Sequence, residues 1–88
     1  MIRKHVIVHG NVQGVGFRYW TRAEATRCGV TGWVRNRLDG TVEAELEGSE
    51  SDVSSMIEWL RHGPEYASVS GLDAQDITPR GDDDFVVL

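Results

Sequence analysis

Eighty-eight residues, 40% of them hydrophobic, can bury one modest core and read as a single domain over 1–88. No apolar run approaches the roughly 18 residues needed to cross a bilayer, and Met1 to His5 runs into a strand pattern without a signal peptide's apolar region. The expectation is a soluble, cytoplasmic protein with no membrane partner.

The net charge of −5 hides an asymmetry. Residues 1–37 hold seven cations (Arg3, Lys4, Arg18, Arg22, Arg27, Arg35, Arg37) and one anion, Glu24, for +6; residues 38–88 hold two cations and thirteen anions, for −11. An anionic ligand would be steered to the first half. Uneven charge on solvated faces is the plainer alternative.

In chain order, Arg3 to Gly10 reads as a strand, with Val6 and Val8 on one face and His5, Ile7 and His9 on the other. A helix is predicted from Phe17 to Cys28, its apolar stripe made by Phe17, Trp20 or Thr21, Ala25 and Cys28, with Gly29 ending it. Cys28, the only cysteine, excludes an internal disulfide and a cysteine metal cluster. It reads as a small core residue rather than a nucleophile. The second strand, Val30 to Asn36, puts Val30, Gly32 and Val34 on one face and Thr31, Trp33 and Arg35 on the other. Asp39-Gly40 signals a hairpin turn.

The third strand, Thr41 to Glu47, alternates cleanly: Val42, Ala44 and Leu46 inward, and Thr41, Glu43, Glu45 and Glu47 toward water. A second helix, Ser51 to His62, carries Val53, Met56, Ile57 and Leu60 at i, i+3, i+4 and i+7. Its Ser49-Glu50-Ser51-Asp52 entry is acidic and self-capping, and Gly63-Pro64 stops it. Tyr66 to Asp76 reads as a fourth strand with a bulge at Gly71. Thr78 to Gly81 is a loop, Asp82 to Asp84 an exposed run, and Phe85 to Leu88 a short last strand. Three tryptophans are available to fill the core. The order βαββαβ plus a terminal strand is the split βαβ arrangement of a ferredoxin-like α+β sandwich: an antiparallel sheet, two helices on one face and an extra short C-terminal strand.

The connection between the first strand and first helix stands out. Gly10, Gly14 and Gly16 fall within seven residues, and glycine-rich strand-to-helix turns aim main-chain N–H groups at anions. The residues entering the helix cannot cap it as Ser, Asp or Asn would. Arg18 places a cation in the first turn, where the helix dipole disfavours one by about 0.3–1 kcal/mol. Free donors and an ill-placed arginine point to a bound anion. Asn36, by strand parity, lies on the helix-covered face at the end nearest Arg18. Asn is also an ordinary turn former, so the position is open between starting the hairpin and facing the loop.

Other chemistries lack their residues. No Lys-Ser/Thr follows the last glycine, as a P-loop requires, and Gly14-Val15-Gly16 lacks the third glycine of a dinucleotide fingerprint. His5, His9 and His62 show no metal-ligand spacing. Trp33 and Arg35 share the outer sheet face as in RNA-binding sheets, but the neighbouring glutamates would repel phosphates, so no nucleic-acid partner is expected.

Two stretches carry a family resemblance across essentially the whole chain. Gly10-x-Val12-Gln13-Gly14-Val15-x-Phe17-Arg18 resembles the first signature of the acylphosphatase family. Gly32-Trp33-Val34-Arg35-Asn36-x-x-x-Gly40-x-Val42, with Gly48 six residues on, is similar to the second. Trp20, Trp33 and the Asp82–Asp84 run are the departures. The resemblance implies hydrolysis of acyl phosphates to a carboxylate and inorganic phosphate, without metal or cofactor. It implies that Arg18 and the backbone N–H groups of Val12, Gln13, Gly14, Val15, Gly16 and Phe17 hold the phosphoryl group, and that Asn36 positions the water. Its partners would be a small acyl phosphate and inorganic phosphate, met by a monomer. A carboxylate leaving group has a conjugate acid near pKa ~4 and departs unprotonated, so no general acid is needed; ordinary phosphate monoesters should be poor substrates. The competing reading is a non-catalytic module that binds an anion or carbamoyl phosphate, like the related domain of a hydrogenase maturation protein.

Overall fold

A computed structural model describes residues 1–88. The elements are β1 (Ile2–Asn11), α1 (Phe17–Cys28), β2 (Thr31–Asn36), β3 (Val42–Gly48), α2 (Glu50–His62), β4 (Ser68–Ile77) and β5 (Phe85–Val87). They form one five-stranded sheet in the order β4-β1-β3-β2-β5. Four strands pair antiparallel, as expected of a ferredoxin-like sandwich. The extra short C-terminal strand makes the sheet mixed: β5 pairs parallel to β2, with Phe85 opposite Gly32 and Val87 opposite Val34. Residues 78–84 carry the chain back across the sheet, so the last strand runs in the direction of β2.

The core lies between the sheet and the two helices. Val6 and Val8 of β1, Val34 of β2, and Val42, Ala44 and Leu46 of β3 are fully buried. Val53, Met56, Ile57 and Leu60 of α2 cover them, each burial worth about 1.5–3 kcal/mol against exposure. On α1 the inward stripe is Phe17, Thr21 and Ala25. Thr21 rather than Trp20 takes the buried position, and its hydroxyl donates to the Phe17 carbonyl at 2.7 Å. A small side chain there lets the helix approach the sheet closely. None of the three tryptophans is fully buried, and Trp20 is 50% exposed. The core is built instead from seven valines with Phe17, Phe85, Leu46, Leu60, Met56 and Ile57. Cys28 is half-buried against it.

β4 begins at Ser68, two residues later than predicted, because Pro64 to Ala67 close a turn in which Ala67 N–H donates to the Pro64 carbonyl at 3.0 Å. The bulge is confirmed and falls beside Gly71: His9 pairs Gly71 while Gly10 pairs Val69, leaving Ser70 as the extra residue.

The outer face of the sheet differs most from the sequence reading. Glu43 and Glu47 do not face water; they are 8% and 2% exposed, and Thr41 is 9% exposed. Thr41 is covered within the hairpin, where its N–H and hydroxyl both bond Asp39 Oδ1. Glu47 accepts from the main-chain N–H groups of Arg80 (2.6 Å) and Gly81 (2.9 Å), so the loop before β5 lies over it. Arg3, also buried, donates to Glu45 (2.8 Å), Glu47 (3.1 Å) and Asp82 (2.9 Å). Asp82 is therefore half-buried, not part of an exposed run, because the Arg3 guanidinium draws it down. Only Asp83 and Asp84 are exposed. Nearer the hairpin, Glu43 bridges His5 (2.6 Å) and Arg35 (2.5 Å), and Arg35 also lies over the Trp33 ring. Strand parity assigned these residues to the outer face correctly; it could not show that a distant loop and an ion network cover that face.

Candidate active site

β1 ends at Asn11, and the chain reaches α1 through residues 12–16, in which Gly14 and Gly16 both have φ 74°. A left-handed residue directly before the helix supplies no side-chain cap; Gly16 is the N-cap and makes no capping hydrogen bond. The first turn also contains no acidic residue. The leading N–H groups of α1 therefore face solvent with the positive end of the dipole behind them. α2 behaves differently, as its sequence indicated: Ser49 Oγ accepts from Asp52 N–H at 3.1 Å, and Glu50 and Asp52 occupy its first turn.

Val12, Gly14, Gly16, Phe17, Arg18 and Asn36 all line one open cleft of about 380 Å³. The geometry answers the question left open for Asn36: it ends β2 and borders the same cavity as Arg18. Two of the expected loop residues do not line this cleft. Gln13 turns toward the β2–β3 hairpin, where its Nε2 donates to the carbonyls of Arg37 (2.8 Å) and Thr41 (2.9 Å). That amide ties the glycine loop to the turn just after Asn36. Val15 faces the other side, in a groove with Trp20, Trp59, Pro64 and Tyr66.

Three further residues line the cleft that the sequence reading did not place there: Tyr19, Arg22 and Val87. Arg22 was legible, since it follows Arg18 at helical spacing. Val87 was not, because only the parallel pairing of β5 with β2 brings it there. The same pairing sets Arg18 Nη1 3.0 Å from the main-chain oxygen of Leu88, to which it donates. No Asp, Glu or His side chain borders the cleft, and no group of three or more His, Cys, Asp or Glu is placed to hold a metal ion. The ionisable groups with clear pKa shifts lie elsewhere. Glu47 is held below the ordinary glutamate value first by the Arg80 N–H, which with Arg3 and the Gly81 N–H outweighs burial. Burial pushes Glu43 up, but the bonds from His5 and Arg35 outweigh it and leave it low.

The family model described as acylphosphatase matches residues 4–87. A curated relative from Rhizobium etli, named acylphosphatase, is 60% identical over 70 residues, covering 80% of this chain and 74% of its own. A crystal structure of acylphosphatase from Bacillus subtilis superposes with a TM-score of 0.97 at 36% identity, over 100% of this chain and 99% of that one. The crystal structure of T. kodakarensis HypF also superposes, with a TM-score of 0.83 at 35% identity, but this chain covers only 12% of it. The two signatures, the ferredoxin-like order and matches over nearly the whole length agree: the chain belongs to the acylphosphatase family of hydrolases.

Proposed function

We propose that the protein hydrolyses the carboxyl-phosphate bond of small acyl phosphates, with Arg18 and the loop N–H groups of residues 12–17 holding the phosphoryl group and Asn36 positioning the water. The observation that carries this reading is the shared cleft: Arg18, Asn36 and the glycine loop border one cavity that no Asp, Glu or His side chain lines. A planar guanidinium can meet two phosphoryl oxygens at once. The uncapped helix end adds main-chain donors for the remaining negative charge. The Asn36 amide offers both an acceptor and donors to a water molecule. The carboxylate leaves without a proton, and a phosphoryl oxygen accepts the proton of the attacking water, so the reaction requires neither a protein acid nor a metal. Positioning and electrostatic stabilisation then supply most of the rate.

The test separates the two roles. Asn36→Ala should lower kcat on benzoyl phosphate by about a thousandfold, while inhibition by inorganic phosphate stays within about threefold of the parent, since an amide removed from the water costs little ground-state binding. An Asn36→Ala variant with undiminished kcat overturns the water-positioning role. A parent protein that binds phosphate but turns over no acyl phosphate favours the non-catalytic module instead.

A further inference from the structure

The cleft holds a second guanidinium that phosphoryl binding does not require. Arg22 stands at i+4 from Arg18 on α1, so both rise from one helix face with Cβ atoms about 5–6 Å apart, and both line the cleft. Of the nine Lys and Arg side chains, six are paired with a carboxylate: Arg3, Lys4, Arg27, Arg35, Arg37 and Arg61. Arg18, Arg22 and Arg80 are the three without an Asp or Glu partner, and two of those three share this one cavity.

Like charges at i, i+4 repel, and Arg18 also sits in the first turn, at the helix end whose dipole is already positive. No Asp or Glu side chain borders the cleft to offset them, and the partner of Arg18 there is the main-chain oxygen of Leu88. Elsewhere on α1 the chain does provide such an offset, since Glu24 pairs with Arg27 at 2.6 Å. A phosphoryl group seated on Arg18 and the loop leaves Arg22 about one helical turn away, with Tyr19 and Val87 completing the wall. That is where the acyl portion of a bound acyl phosphate would extend.

Resting on the hydrolytic reading above, we propose that Arg22 holds a second anionic group on the acyl portion, so that acyl phosphates carrying a distal negative charge are the preferred substrate class. The guanidinium donates to the distal group in both the bound substrate and the transition state, so its effect appears in kcat/KM and depends on the substrate's charge.

The experiment compares 4-carboxybenzoyl phosphate with its neutral isostere, 4-carbamoylbenzoyl phosphate, on the parent, Arg22→Gln and Arg22→Lys. The para position keeps the carboxylate from attacking its own acyl group. Arg22→Gln should cut the charged-to-neutral ratio of kcat/KM about tenfold, the value of one charge-assisted hydrogen bond, and Arg22→Lys should keep most of it. Arg22 is exposed on the helix, so thermal melting of the variants verifies that folding is retained. A ratio unchanged within about twofold overturns the proposal, whether both rates fall together, which would make Arg22 a second phosphoryl ligand, or neither falls. No turnover of benzoyl phosphate by the parent would instead overturn the hydrolytic reading itself.

Discussion

Arg18→Ala is expected to lower kcat/KM on benzoyl phosphate by about ten-thousandfold, or about 5.5 kcal/mol of transition-state stabilisation. Arg18 is the cation nearest the start of α1 in the cleft, and its planar fork can meet two phosphoryl oxygens. Inhibition by inorganic phosphate should weaken at least about a hundredfold in the same variant, in contrast to Asn36→Ala. Arg18→Lys should recover part of the binding and little of the rate, because an ammonium is a point charge without the fork. Loss of fold does not explain such a result. Removing a cation from the first turn relieves about 0.3–1 kcal/mol, and losing the bond to Leu88 costs about 0.5–1.5 kcal/mol. The two nearly cancel, so the melting temperature should move by only a few degrees. Retention of more than about a tenth of the activity contradicts the assignment.

Arg3→Met is expected to destabilise the protein by about 3 kcal/mol without lowering kcat below the melting range. Breaking a buried ion pair from one side costs about 3–5 kcal/mol because the remaining charge is left uncompensated. The lower figure applies because Glu47 keeps the N–H groups of Arg80 and Gly81. For a domain of this size the loss is about 15 °C in melting temperature. Catalysis should be spared because Arg3 pairs with Glu47 at one end of the sheet, whereas Val8, Val42 and Asn36 lie at the other.

The same network sets the acid limit of stability. Glu47 has a folded-state pKa below its ordinary value of 4.5, so its contribution is fully present above that value and is lost as pH falls through the folded pKa. Melting temperature should therefore decline below about pH 4.5, and less steeply in Glu47→Gln than in the parent. Equal slopes in thermal melts between pH 7 and pH 3 would place the acid-sensitive group elsewhere.

Local signals made the site legible. Glycine spacing, the missing cap, Arg18 in the first turn and the parity of Asn36 are all properties of neighbouring residues, and each holds in the structure. Element order was legible for the same reason: the periods of α1, α2 and β3 are strong and their ends are marked by Gly29, Ser49 and Gly63. What escaped depends on residues far apart in the chain. The covering of Glu47 by residues 80–82, the parallel seat of β5 and the arrival of Val87 at the cleft follow from one loop crossing the sheet. Parity states which face a side chain takes, not what later packs on it. Trp20 was a choice between two helix positions, and the need for a small residue against the sheet decided it in favour of Thr21.

The most direct test of the central claim is hydrolysis of benzoyl phosphate in ¹⁸O-labelled water with excess chelator present. Attack at phosphorus by a water held in the cleft predicts undiminished turnover with one labelled oxygen in the inorganic phosphate and none in the benzoate. Turnover abolished by the chelator, or label recovered in benzoate, would contradict the account.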